Sequence, residues 1–417
     1  MPDNVNSRRT YIDGYCHEDF QDVDSEFLRQ LKLTPGGAAI CVYHHGERVV
    51  DLWGGYRDES GSLWLKDTMA PSFSTTKGVC STLLHIFADR GQVDYDEPVA
   101  SYWPEFGQAG KENITVRQVM THQSGMYHIR QMIDSASRML DWQHIIRAIE
   151  QASPVHEPGT RAGYHGLTYG FIIGEILQRV SGQLFAELVQ QELAQPLGLD
   201  GLYVGAPESE LHRAASLFKP RGPGKYARRL AGHYLEFSLF GANTILKVAG
   251  IDSQLSSFHD ALAPKGMRNF DFGAAETLRV SIPAGNGLFT ARSLSAMYAM
   301  LAESGTLNGV RVLSDDTAQQ LSVIQPAPEK LAVMPINMRW RLGYHGVYSN
   351  RGFQASAFGH FGWGGSGAWA DPTQNLSFGM ITNSGGGTPF GDSRISRLSE
   401  AARSAARLRE PPARLAG

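Results

Sequence analysis

The fold is decided by residues 71–91, which read Pro-Ser-Phe-Ser-Thr-Thr-Lys-Gly-Val-Cys-Ser-Thr-Leu-Leu-His-Ile-Phe-Ala-Asp-Arg-Gly. Apolar side chains recur at helical spacing over most of this stretch, which predicts a buried helix. Gly91, directly after a charged pair, is typical of a helix end. The apolar residues that set the period are Val79, Leu83, Leu84, Ile86 and Phe87.

Two side chains near the start of this helix have the chemistry of a catalytic pair. Ser74 and Lys77 are three residues apart, so they lie on one face of a helix. A serine hydroxyl needs a nearby base to act as a nucleophile, and a lysine can be that base when burial lowers the pKa of its amine. The free N–H groups of a first helical turn can also stabilise an oxyanion.

The same Ser-x-x-Lys spacing occurs again at Ser216 and Lys219. That copy runs into residues 220–224, Pro-Arg-Gly-Pro-Gly, so its serine cannot open a long buried helix. We therefore assign Ser216 no chemical role. Local sequence alone leaves Ser74 open to a structural as well as a catalytic interpretation.

The composition is that of an ordinary globular protein. The chain has 417 residues, of which 42% are hydrophobic and 19% charged, so one split domain or two lobes are expected. The net charge of −3 predicts no nucleic-acid partner, and no run has the length of a membrane span. The first residues lack the apolar region of a signal peptide, so we expect a cytoplasmic location.

The cysteines give no sign of a metal or disulfide framework. Cys16, Cys41 and Cys80 are far apart in sequence, and we predict neither a zinc site nor any cofactor. The oligomeric state is left open, a homo-oligomer included.

The order of predicted elements indicates an α/β (α+β) fold in which both chain ends build one antiparallel sheet flanked by helices. Strand-like runs at 38–43 and 48–53 flank a glycine turn, which predicts a hairpin. We predict an α/β domain of residues 1–113 and 291–417, a mainly helical domain of residues 114–290, and an active site between them. Further predicted helices are 24–32, 116–120, 142–149, 167–180, 184–193, 291–301 and 393–408, and further strands are 340–344, 358–361, 367–370 and 377–382.

Two later stretches could complete a site. Tyr164 lies between a glycine-rich approach and an apolar helix, and a tyrosine there can transfer a proton, although such a residue is more often structural. Residues 359–372 contain glycines that let another backbone or a ligand approach closely, so this stretch is either a strand edge that donates a second oxyanion N–H or a tight β-bulge. Residues 219–229 are basic and form either a solvated loop or a lid.

Taken together, these motifs give the chain a clear resemblance. The order Ser-x-x-Lys, a tyrosine loop 90 residues later and a late His-x-Gly strand resembles the serine β-lactamase and penicillin-binding-protein superfamily. Within it, the chain is similar to class C β-lactamases and, more closely, to family VIII carboxylesterases, from about residue 20 to 400. This implies a β-lactamase/transpeptidase-like fold. The supporting segments are Val119-Met-Thr-His-Gln-Ser-Gly125, Pro158-Gly159 and Gly285-Asn-Gly-Leu-Phe-Thr-Ala291.

The resemblance implies a role for each matching residue. Ser74 matches the acylated serine, Lys77 its helix partner and Tyr164 the catalytic tyrosine. The oxyanion would be bound by the backbone N–H groups of Ser74 and Trp363. His122 is interpreted as a turn residue without a catalytic role. The residues expected to bind substrate are His360, Phe361, Gly362 and Trp363.

Two departures from the family pattern bear on the substrate. The tyrosine motif of the family ends in asparagine, where this chain has Gly166, and the lysine of Lys-Thr-Gly is replaced by His360. A literal Tyr-Ser-Asn occurs at 348–350, which is the wrong place. Small esters need neither missing group, whereas a carboxylate-bearing β-lactam uses both.

We therefore predict a serine carboxylesterase that hydrolyses small, short-chain esters. The alternatives are a β-lactamase or D-alanyl peptidase, an acyltransferase that uses the same acyl-enzyme, and a non-catalytic binding protein on the same fold. The chain contains no Gly-x-Ser-x-Gly elbow, which disfavours an α/β-hydrolase.

Overall fold

A computed structural model of the protein describes residues 11–218, 254–334, 336–384 and 393–409. The predicted loop or lid at 219–229 lies outside these residues. The strands, in chain order, are β1 (Ile12–Cys16), β2 (Gly37–His44), β3 (Glu47–Gly55), β4 (Ala70–Pro71), β5 (Ala162–Gly163), β6 (Leu202–Tyr203), β7 (Leu288–Phe289), β8 (Thr306–Leu307), β9 (Val310–Arg311), β10 (Leu331–Ala332), β11 (His345–Ser349), β12 (Gly352–Phe361), β13 (Gly367–Asp371) and β14 (Leu376–Thr382).

The α-helices lie mainly between the strands of the two chain ends. A π-helical segment, Gln190–Ala194, follows one of them, and a 3₁₀ turn, Phe73–Thr75, precedes another. The helices are α1 (Gln21–Leu33), α2 (Thr76–Asp89), α3 (Val116–Met120), α4 (Ile129–Met132), α5 (Trp142–Gln151), α6 (Thr168–Ser181), α7 (Phe185–Val189), α8 (Gln254–Leu262), α9 (Ala275–Arg279), α10 (Ala291–Ala302), α11 (Asp315–Gln320) and α12 (Ser393–Leu408).

Strands from both ends of the chain form one antiparallel seven-stranded sheet in the order β1-β3-β2-β14-β13-β12-β11. The two ends join where β14 pairs with β2, from Thr382 opposite Ala38 to Leu376 opposite His44. The predicted hairpin is confirmed, because β2 and β3 pair across a turn in which His45 and Gly46 have positive φ. The split sheet expected from the sequence is therefore present.

The sheet separates two hydrophobic cores. On one side, α1 and α12 pack together over residues such as Phe27, Trp369 and Leu398. On the other, α10 lies against β14 and β2, and α2 belongs to the same large core. Gly379 permits this approach, because a Cβ there would lie 2.8 Å from the carbonyl oxygen of Ala291. None of the helices among the described residues has the length and apolar character needed to cross a membrane.

One predicted strand is wrong. Residues 340–344 are irregular, and the strand begins only at His345. Gly343 has a φ of +78°, which a regular strand does not allow, and the buried Arg341 guanidinium donates to the carbonyl oxygens of Arg339 and Ala355 at 2.7 Å each. The predicted terminal helix 393–408 is confirmed, whereas the predicted helix 184–193 is split into α7 and the π-helical segment.

A buried ion pair fixes α12 to the sheet. Arg403 of α12 donates to the Asp371 carboxylate at the end of β13, and both side chains are buried. Removing one partner of a buried pair leaves the other charge uncompensated.

Arg403→Met should therefore lower the free energy of unfolding by about 3–5 kcal/mol, as measured by urea denaturation. Arg138→Met, which breaks the solvent-exposed pair with Asp134, should leave it nearly unchanged. Equal stability of the two variants would contradict a stabilising role for the buried pair.

Candidate active site

Ser74 lies in the 3₁₀ turn that runs into α2. Phe73 precedes it with a φ of +46°, so the chain turns sharply just before the nucleophile position. The hydroxyl of Thr76 donates to the carbonyl oxygen of Phe73 at 2.5 Å and accepts from the N–H of Gly287 at 2.8 Å. These contacts hold the Ser74 peptide at the open end of the helix.

Lys77 is fully buried one turn further along. Its Nζ lies 3.1 Å from Ser74 Oγ, 2.6 Å from the carbonyl oxygen of Gly166 and 3.0 Å from that of Ala284. Burial holds the pKa of the Lys77 amine well below its usual range. A neutral amine has two N–H groups, which the two carbonyls accept, so its lone pair is left facing Ser74 Oγ.

Tyr164 contacts the same hydroxyl from the other side. Its OH lies 2.8 Å from Ser74 Oγ, and its ring is stacked parallel to Trp340 with centroids 5.9 Å apart. Burial raises the pKa of the phenol, so Tyr164 is a neutral donor to Ser74. Lys77 Nζ lies 4.9 Å from the ring centroid. The structure thus brings the three residues of the predicted catalytic set into contact.

Neighbouring residues of β12 point to opposite faces of the sheet, so the predicted substrate-binding residues 360–363 do not all face the site. His360 faces Tyr164, with ring centroids 6.3 Å apart, but it is only 2% exposed. Phe361 faces the opposite way, into the core beneath α12, so its side chain does not line the site. The prediction that Phe361 adds apolar surface for substrate is therefore wrong. Trp363 is 46% exposed and remains available.

The strand end passes directly over the start of α2. A Cβ at Gly362 would lie 2.2 Å from the carbonyl oxygen of Ser72, so only glycine fits there. The hydroxyl of Thr75 donates to the carbonyl oxygen of Ser366 at 3.1 Å. Within the described residues, the backbone N–H groups of Trp363 and Ser366 make no hydrogen bond. Ser366 was missed in the sequence, where only the glycines around it indicated a close approach.

The position that the family gives to an asparagine amide is filled by another element. A Cβ at Gly166 would lie 2.4 Å from Leu262 Cδ2 and 2.6 Å from the carbonyl oxygen of Ala261, both on α8. Leu262 is only half-buried and packs in the apolar cluster that contains Tyr164 and Trp340. The loss of the amide is therefore accompanied by an apolar wall beside Lys77.

Four buried imidazoles surround the predicted catalytic residues, and they belong to His122, His165, His345 and His360. Burial lowers the pKa of each imidazole. The pKa of His165 is lowered to about 3 and that of His345 to about 4, so these rings are neutral at pH 7. His360 consequently supplies no fixed positive charge. No cluster among the described residues could hold a metal ion.

The literal Tyr-Ser-Asn motif at 348–350 and the second Ser-x-x-Lys motif at 216–219 are not part of this site. Tyr348 is 37% exposed on β11, where it contacts Phe353. Ser216 is exposed, and its carbonyl oxygen accepts from Asn383 at 2.9 Å. Lys219 lies outside the described residues. Neither motif has the buried surroundings of Ser74.

Comparison with known proteins places the chain in a family. The β-lactamase family model matches residues 32–403. Esterase/beta-lactamase LipL of Mycobacterium tuberculosis is 35% identical over 357 residues, covering 84% of this chain and 77% of that protein. A family VIII carboxylesterase structure matches with a TM-score of 0.81 and 31% identity, covering 95% of this chain and 100% of the other.

A penicillin-binding protein homologue from Caulobacter crescentus matches with a TM-score of 0.79 and 33% identity, covering 95% of this chain and 100% of the other. These matches confirm the predicted resemblance and the β-lactamase/transpeptidase-like fold. The chain belongs to the β-lactamase family of serine hydrolases.

Proposed function

We propose that the protein is a serine carboxylesterase that hydrolyses short-chain esters through an acyl-enzyme on Ser74. The observation that carries the proposal is the position of Ser74 Oγ, 3.1 Å from the buried amine of Lys77 and 2.8 Å from the phenol of Tyr164. A nucleophile that contacts both a base and an acid can complete an acyl transfer. The names of the relatives, an esterase/beta-lactamase and a family VIII carboxylesterase, support this reaction class.

Acylation begins when Ser74 Oγ attacks the ester carbonyl carbon and its proton passes to the lone pair of Lys77. The N–H of Ser74 binds the oxyanion, together with the N–H of Trp363 or of Ser366. Tyr164 then protonates the departing alkoxide, and Lys77 returns a proton to the phenolate, so both groups end neutral.

Deacylation uses the same groups. Water attacks the acyl carbonyl carbon and gives a proton to Lys77, and the ester bond to Ser74 Oγ breaks. The proton returns to Ser74, the carboxylic acid leaves, and the enzyme is restored without a cofactor.

The walls of the site favour a neutral acyl group. Leu262 fills the place of an amide beside Gly166, and the neutral His360 offers no partner for a carboxylate. Phe73, half-buried next to Ser74, packs on Phe272 with ring centroids 5.2 Å apart. Apolar surface without a fixed cation suits a neutral ester better than a β-lactam carboxylate.

The other predicted activities use the same groups. A β-lactamase or D-alanyl peptidase remains the alternative because the family includes both, and an acyltransferase would replace water by an alcohol. A non-catalytic binding protein would have no need for a buried lysine beside a serine. The cytoplasmic location stays a prediction.

Ser74→Ala should abolish hydrolysis of p-nitrophenyl butyrate and labelling by a fluorophosphonate, since no other hydroxyl contacts both Lys77 and Tyr164 among the described residues. Ser216→Ala is the matched control and should retain both. Mass mapping of the labelled peptide identifies the nucleophile. A label on any peptide other than the one containing Ser74 would overturn the assignment.

The pH dependence should follow Lys77. Its pKa is lowered in the folded protein, so the neutral base is present above that pKa and is lost as pH falls through it. We expect kcat/KM to fall on acidification and to stay level up to about pH 10, because the phenol of Tyr164 remains protonated. Lys77→Arg should be inactive throughout. Activity that appears only above about pH 10 would point instead to a Tyr164 phenolate as the base.

Substrate preference should reflect the absence of a fixed positive charge at His360. A charge-assisted hydrogen bond is worth about 1.5–3 kcal/mol, so its absence costs a β-lactam roughly ten- to a hundredfold in recognition. We expect kcat/KM for p-nitrophenyl acetate or butyrate to exceed that for any penicillin or cephalosporin. Steady-state kinetics on the purified protein decides the matter, and faster β-lactam cleavage would favour the alternative.

A further inference from the structure

His122 is hydrogen-bonded to the residues on both sides of Tyr164. The carbonyl oxygen of His122 accepts from the N–H of Gly163 at 2.8 Å, and its ring Nδ1 accepts from the N–H of His165 at 3.1 Å. The imidazole also packs against the Tyr164 ring, with centroids 5.1 Å apart. One residue therefore holds the backbone before and after Tyr164 and also contacts its ring in a T-shaped arrangement.

We propose that His122 is the positioning residue for Tyr164 and acts through it on the reaction at Ser74. The inference rests on the proposed function, in which the Tyr164 phenol protonates the leaving group. His122 touches neither Ser74 nor Lys77 in the set of described hydrogen bonds, so its contribution is to orientation.

The contacts of His165 with Ser124 and Met126 keep the Nδ1 acceptor of His122 in place. His165 Nε2 lies 2.6 Å from Ser124 Oγ and accepts from the N–H of Met126 at 3.2 Å. Because a backbone N–H is always a donor, His165 Nε2 carries no proton and its Nδ1 does. That Nδ1 lies 3.4 Å from His122 Nδ1, which is the acceptor of the pair. The tautomers of both rings are thus determined by backbone groups.

The backbone of His122 limits which side chains can replace it. Its φ is +61°, in the left-handed region where asparagine and histidine are favoured over other residues. The oxygen of an asparagine lies at the same distance along the side chain as Nδ1 of histidine. A glutamine places its oxygen one bond further away, near the position of Nε2. Both amides supply an oxygen acceptor, but only asparagine places it where Nδ1 of His122 lies. A comparison of the two variants therefore tests the position of the acceptor and keeps its chemical type the same.

His122→Asn and His122→Gln test the inference in the full-length protein. We expect His122→Asn to keep kcat for p-nitrophenyl butyrate within about threefold of the wild type. His122→Gln should lower kcat by about tenfold or more with KM nearly unchanged. The reason is that moving a catalytic acid or base by about 1 Å costs up to about a hundredfold in rate. Fluorophosphonate labelling of Ser74 and the thermal midpoint are recorded for each variant.

His85→Gln is the matched control for loss of a buried histidine. His85 lies on α2, and its ring nitrogens contact the Tyr95 hydroxyl at 2.7 Å and the carbonyl oxygen of Leu342 at 3.0 Å, away from Tyr164. We expect it to lower the thermal midpoint as His122→Gln does while retaining kcat. A general effect of destabilisation would reduce kcat in both.

Combination with Tyr164→Phe shows whether His122 acts through the phenol. Tyr164→Phe alone should lower kcat by about a hundredfold or more, and adding His122→Gln should lower it no further. An undiminished effect of His122→Gln in the Tyr164→Phe background, or equal kcat for His122→Asn and His122→Gln, overturns the inference. If Tyr164→Phe is slow but His122→Gln is not, the inference alone fails. If Tyr164→Phe itself retains full kcat, the proposed role of Tyr164 fails and the inference with it.

Discussion

The arrangement of the site depends on the burial of one amine. Lys77 lies in the core with two backbone carbonyls as partners, and no carboxylate among the described side chains contributes to the shift of its pKa. A charged ammonium in such a place would be costly, so burial lowers the pKa of the amine and favours the neutral form, whose lone pair is directed at Ser74. The carbonyls of Gly166 and Ala284 come from segments far apart in sequence. The core must therefore be assembled correctly before the base exists.

The same burial explains the character of the neighbouring groups. Any cation close to Lys77 would face a low dielectric without a counter-charge, and the four imidazoles around the site are accordingly neutral. Each of them acts through hydrogen bonds and ring contacts. His360 Nδ1, for example, lies 3.1 Å from the carbonyl oxygen of Phe361, which fixes its ring at the end of β12. A site of this kind separates charge only during the reaction.

Local features of the sequence predicted much of this, because they depend on short spacings. The contact of Ser74 with Lys77 follows from one helical turn, and the hairpin from a glycine turn between two β-rich runs. Long-range features could not be predicted in this way. Leu262 reaches Gly166 across nearly a hundred residues, and His122 reaches His165 across forty-three. Phe361 was misplaced because the family motif names consecutive residues, whereas a strand sends neighbours to opposite faces.

The pairing of β2 with β14 has a consequence for synthesis of the protein. β2 leaves the ribosome well before its partner, residues 376–382, is translated. Until then one edge of β2 is unpaired, and the segment that passes over Ser72 is also absent. Closing so long a loop is slow, so the nascent chain exposes this strand edge at least until residues 376–382 have been made. Dependence on chaperones during translation would be a natural property of this topology.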